Sequence, residues 1–107
     1  MRPTMYGYMR LAVNGDGADE SNATERELAA HAHREGFALR RLFIERLNDD
    51  ESALFSLSEA IKGSGVKHVI VPSLWHFARL PGLQLAMREH IEQELGVKLW
   101  VVQGVAR

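Results

Sequence analysis

The sequence predicts an α/β domain: a three-layer, doubly wound, mainly parallel sheet of four core strands with helices on both faces. Strand-like and helix-like segments alternate along the chain in the order β-α-β-α-β-α-β, which favours parallel strands joined by crossover helices. Val69-Ile70-Val71 is an unbroken β-branched run, the pattern of a central strand covered on both faces. Each helix-like segment stops at glycine: Gly36, the Gly63-Ser64-Gly65 stretch, and Gly96.

The first strand is expected over Thr4 to Ala12, from its aromatic content and near-alternation. Asn14-Gly15 and Asp16-Gly17 then mark a loop from Val13 to Ala23. Thr24, with Glu27 three residues on, reads as a capping box opening a helix to about Glu35. Leu28, Ala29, Ala30 and Ala32 are its expected inward residues. The second strand spans Phe37 to Glu45, with Leu39, Leu42 and Ile44 as apolar content. An acidic turn follows, and Asp50 or Ser52 caps a second helix through about Lys62, with Leu54, Leu57, Ala60 and Ile61 at helical spacing. Val66 to Pro72 is the third strand. Pro81 opens a long helix with Leu83, Leu85, Ala86, Met87, Ile91 and Leu95 as its apolar residues, and Val97 to Val102 is the fourth strand.

A chain of 107 residues suits one domain, and a hydrophobic fraction of 46% supports one core. No apolar run reaches the roughly 18 residues of a membrane span, and Met1-Arg2-Pro3-Thr4 lacks the apolar segment of a signal peptide. Zero cysteines exclude disulfides and thiolate metal sites, in keeping with a cytoplasmic location. The net charge of −1, from 13 Lys+Arg against 14 Asp+Glu, lacks the basic excess usual in a free-standing DNA-binding domain. Arg40-Arg41 is the densest basic pair.

Ligand sites in doubly wound sheets lie past the carboxyl ends of the strands, where strand order reverses. If the first and third strands are neighbours, Tyr8-Met9-Arg10-Leu11-Ala12 and Ser73 to Arg79 converge on one crevice. The first of these stretches resembles the Tyr-x-Arg-Val-Ser signature that opens the catalytic domain of serine recombinases, the resolvase/invertase family. The resemblance runs from Tyr6 to about Val102 and implies a single resolvase-like domain over residues 1–107. In that family the serine attacks a DNA phosphodiester and the arginine contacts the scissile phosphate. Here Arg10 keeps the arginine and Ala12 stands where the serine would be. A second family signature, Asp-Arg-Leu-x-Arg, corresponds to Trp75-His76-Phe77-Ala78-Arg79. Arg79 keeps the last arginine, His76 replaces the first and Trp75 replaces the acid. A further family arginine falls close to Glu51. The family's dimerising helix and helix-turn-helix domain follow the fourth strand, so none is expected within a chain ending at Arg107.

Serine-based phosphoryl transfer needs a nucleophile, cations for the developing charge and a route for protons. Ala12 supplies no nucleophile, so no catalytic residue is expected at the degenerate site of Arg10, Ala12, Trp75, His76 and Arg79. Ser73 and Ser52 read as turn and helix-cap serines rather than displaced nucleophiles. Arg10 and Arg79 are the anion-binding candidates, while Asp16 or Glu45 offers Arg10 a purely structural partner. Trp75 and Phe77 are interface candidates, with covering the core end of the third strand as the alternative. His31 and His33 point in different directions on a helix, so no metal or cofactor is expected.

Three functions follow in order of preference. The first is a catalytically inactive resolvase-like domain acting by binding DNA, a recombinase or another protein. The second is a working site-specific recombinase with an unusual site. The third is a small anion- or nucleotide-binding module, which Asp16, Asp19 and Glu20 in the first loop disfavour by repelling phosphate.

Overall fold

The computed structural model describes residues 3–10, 18–45, 52–72 and 81–102, with backbone only at 18–21 and 81. Its strands are β1 (Thr4–Arg10), β2 (Ala38–Glu45), β3 (His68–Val71) and β4 (Lys98–Val101), and its helices α1 (Ala18–Arg34), α2 (Ala53–Ser64) and α3 (Pro81–Leu95). They alternate as the sequence predicts. The sheet order is β2-β1-β3-β4, and each pairing is parallel.

Burial explains the β-branched run. Val69, Ile70 and Val71 are all fully enclosed, because β3 has a strand on each side and side chains packed on both faces. On one face Tyr6, Tyr8, Phe43, Val69, Val71 and Leu99 meet Leu57 and Ile61 of α2 and Ile91 of α3. On the other, Met5 and Ile70 meet Leu28 and Ala32 of α1, with Phe37 closing the cluster. The result is three layers, with α1 on one side and α2 and α3 on the other.

Four details differ from the sequence reading. The helix expected from Thr24 begins at Ala18, so Thr24 and Glu27 lie inside it rather than capping it. Residues 18–23 hold no glycine or proline to stop the helix, and acids near its first turn suit the helix dipole. Ala29 and Ala30 are exposed, since the inward stripe needs only Leu28 and Ala32, one turn apart. In α3 the leucines of the first turn face outward: Leu83 is 52% and Leu85 57% exposed, and Ala86 is exposed too. The inward stripe is instead Gln84, Met87, Ile91 and Leu95, at steps of three and four residues, with Gln84 buried. Finally, α2 runs through Gly63 and Ser64. Gly65 ends it at φ 74°, its N–H donating to the Ile61 carbonyl at 2.9 Å.

Strand β2 carries an irregularity that its sequence hides. Met5 pairs with Leu39 and Tyr6 with Arg41, so Arg40 is an extra residue in the register. That bulge puts Leu39 and Leu42 on the same face although they are three residues apart. Both press on Gly7 of β1. A Cβ at Gly7 would lie 3.0 Å from Leu42 Cδ1, 3.3 Å from Leu39 Cδ1 and 3.4 Å from Leu28 Cδ1. Glycine here lets α1 and β2 close together over β1. Gly7→Val is therefore expected to lose about 1–3 kcal/mol of stability by overpacking, read as a lower urea midpoint with an unchanged slope. An unchanged midpoint would show that the contact relaxes freely.

Candidate functional site

Strands β1 and β3 are neighbours, and they are the point where strand order reverses. The chain leaves β1 for a helix on one face and β3 for a helix on the other, the arrangement that in doubly wound sheets sets ligand sites past the carboxyl ends of the strands. The side chains of β1 alternate, so Tyr8 and Arg10 share the face on which α2 packs. Tyr8 is almost wholly buried, and Arg10 at the strand's end is exposed.

Glu45 organises this edge. It is the register partner of Arg10 at the end of β2. Its Oε1 accepts from the Tyr8 hydroxyl at 3.4 Å, the Ser52 hydroxyl at 3.3 Å, and the N–H groups of Ala53 at 3.1 Å and Leu54 at 3.4 Å. The first N–H groups of a helix have no partner within it, and a carboxylate there answers both the missing acceptors and the positive end of the helix dipole. Ser52 completes the cap, its Oγ accepting from the Phe55 N–H at 3.3 Å. A single carboxylate thus ties the ends of β1 and β2 to the start of α2.

The electrostatics follow from that arrangement. Burial first, then the negative charge of Glu45, push the Tyr8 phenol up from 10.0 to about 12. The Arg10 guanidinium pulls the other way, through its charge and through a hydrogen bond to the phenolic oxygen. Arg10 accordingly sits beside the Tyr8 phenol, with Glu45 as its register neighbour on β2. Ser52 is the helix cap the sequence suggested, one bond donated and one accepted.

The structure brings Arg10, Tyr8, Glu45 and Ser52 together. Ala12, Trp75, His76, Phe77 and Arg79, with Glu51, Ser73 and Asp16, lie outside the described residues. The capping role of Glu45 is what sequence reasoning overlooked. Its signal was present as an acid ending a strand, seven residues before a capping serine. His31 is half-buried beside Arg34, whose Nη2 lies 3.2 Å from its Nδ1, and His33 is exposed. Among the described residues no three His, Cys, Asp or Glu side chains gather to hold a metal, and no helix is long and apolar enough to cross a membrane.

No family model matches the sequence, and no curated protein matches it either. Solved structures do. The C-terminal catalytic domain of ISC1926 TnpA, an IS607-like serine recombinase, matches with a TM-score of 0.73 at 20% identity, over 94% of this chain and 68% of that one. A resolvase family site-specific recombinase from Streptococcus pneumoniae gives 0.72 at 24% identity, over 94% and 72%. The N-terminal catalytic domain of TP901-1 integrase gives 0.70 at 13% identity, over 92% and 76%.

The fold is that of a serine recombinase catalytic domain. In this resolvase-like frame the described part of the carboxyl edge of β1 is built around a capping carboxylate. A shared fold leaves the chemistry to the site itself.

Proposed function

We propose that this resolvase-like domain does not break DNA and acts by binding. The observation that carries the proposal is Ala12, an alanine where the resemblance places the nucleophilic serine. A methyl group has no lone pair with which to attack a phosphodiester. The altered second signature adds to it, since Trp75 and His76 stand where an acid and a permanently charged arginine are expected. Arg10 supports the same reading, being flanked by Glu45 and the Tyr8 hydroxyl. Ser52 offers no replacement nucleophile, because its hydroxyl serves the cap of α2.

The test is incubation with a supercoiled plasmid carrying two recombination sites, stopped with detergent. The expected result is neither nicking nor a protein–DNA adduct. A phosphodiester-linked complex would overturn the proposal and favour the working recombinase. The variant combining Ala12→Ser, Trp75→Asp and His76→Arg then tests the placement of the site, with recovered nicking as the expected outcome.

A further inference from the structure

An open sheet has two edge strands, and a bare edge invites pairing with another chain. Here the edges are β2 and β4. The β2 edge is broken by the bulge at Arg40 and carries the exposed side chains of Arg40 and Arg41. A bulge and edge charges both discourage strand addition. Strand β4 has no such break: it pairs with β3 residue for residue, and among the described residues it has a strand on one side only.

Two bonds fix the direction of every backbone group in β4. The Lys98 N–H donates to the Lys67 carbonyl at 2.9 Å, and the Val102 N–H to the Val71 carbonyl at 3.0 Å. Backbone groups of successive residues in a strand point to opposite sides. Those of Lys98, Trp100 and Val102 therefore face β3, and those of Leu99 and Val101 face away from the sheet. The Leu99 N–H is nevertheless satisfied. It donates to Glu92 Oε2 on α3 at 2.9 Å, a charge-assisted bond that places a carboxylate on the outer side of the strand. Arg88, one turn earlier on α3, sets its Nε 3.9 Å from Glu92 Oε1 and holds the other carboxylate oxygen.

We propose that the β4 edge is a self-association surface that Glu92 holds closed. With the carboxylate on the Leu99 N–H the edge takes no further strand; with that side chain removed, two copies of the chain join β4 to β4, antiparallel about Leu99. A second copy is the occupant because the edge is complementary to itself. With Leu99 opposite its own counterpart, the two residues exchange N–H and carbonyl bonds, and Val101 does the same with Val97. Lys98 then stands opposite Trp100 of the second copy, twice over. Within one chain the exposed Lys98 ammonium already lies 4.4 Å above the half-buried Trp100 ring, and the same cation–aromatic contact suits residues facing across strands. A dyad one residue earlier would set Lys98 against Lys98. The Leu99 dyad also explains why Glu92 is effective. Two carboxylates, each on its own Leu99 N–H, would meet as like charges in the space the strands have to share.

Sedimentation equilibrium of the full chain over a wide range of concentration tests it. The wild-type mass is the reference, and Glu92→Ala is expected to reach twice that mass as concentration rises. Glu92 is partly exposed on a helix, where alanine is well tolerated, so the variant is expected to keep the wild-type circular dichroism. Amide hydrogen exchange locates the contact. In Glu92→Ala the Leu99 amide is expected to exchange faster than in wild type when dilute and to become protected when concentrated. The Val102 amide, bonded to β3 throughout, is expected to stay unchanged. Adding Val101→Pro removes an outward N–H and no bond to β3, and is expected to return the mass to the reference. The exchange result decides the location even where the proline variant fails to fold. Glu92→Ala at the reference mass at every concentration overturns the proposal and leaves Glu92 a tie between α3 and β4. A doubled mass with Leu99 unprotected, or one that survives Val101→Pro in a folded chain, overturns it too. The plasmid test is independent of all these results, since the β4 edge takes no part in the site at Tyr8, Arg10 and Glu45.

Discussion

Leu57→Ala is expected to cost about 2–5 kcal/mol of unfolding free energy. Leu57 is fully buried on α2, and its cluster contains Tyr6, Tyr8, Phe43, Val69 and Val71. Truncation removes the apolar surface it buries and leaves a cavity that strands on a fixed sheet cannot close. Domains of this kind have total stabilities of only about 5–15 kcal/mol, so the loss is a large share of the whole. The same helix supplies a control. Phe55, two residues earlier, is 63% exposed, and Phe55→Ala is expected to change stability by no more than about 0.5 kcal/mol. Urea unfolding followed by far-UV circular dichroism measures both. Equal midpoints for the two variants would contradict the packing described for α2. The consequence reaches the candidate site, because α2 presents to Glu45 the N–H groups of Ala53 and Leu54.

Alkaline destabilisation through Tyr8 is the second large effect. The folded state holds the Tyr8 phenol at about 12, against 10.0 for an unperturbed tyrosine. The protonated form is the one the fold favours, so above pH 10 the folded state binds more protons than the unfolded chain. Stability from this group is complete below pH 10 and is lost as pH rises to about 12, a maximum of about 2–3 kcal/mol. Tyr8→Phe removes that decline, at the cost of the bond to Glu45 at neutral pH. Arg10→Ala moves the phenol further up, since Arg10 favours the phenolate. Tyrosinate absorbance against pH, with the urea midpoint at each pH, reads both. A Tyr8 that ionises at 10 with no loss of stability would show that burial and Glu45 do not act on it.

The degree to which the site was legible differs residue by residue. Arg10 is marked by a motif, and Glu45, one of two acids offered to it as a partner, is its register neighbour on β2. The role of Glu45 as a cap was missed, because its partners come from β1 and from α2, 37 and seven to nine residues away in sequence. Ser52 was read correctly because an N-cap is a local feature: side chain and N–H lie three residues apart. Lys67, His68, Lys98 and Trp100 are likewise brought together only by strand pairing.

The fold shows the same division. Alternating patterns, the Val69-Ile70-Val71 run and the glycine stops are local, and they sufficed for a doubly wound parallel sheet with seven elements. That residue 12 carries a methyl group and no hydroxyl is likewise a fact of covalent structure, requiring no coordinates. Which apolar residues go inside is another matter. Leu83 and Leu85 face out and Gln84 faces in because helix phase is set by where α3 meets the sheet, a contact with no local signature. The bulge at Arg40 and the tight seat at Gly7 were decided by tertiary structure. Each depends on the register or direction of strands distant in sequence, and hydrogen bonds between strands, not the propensities within them, set both.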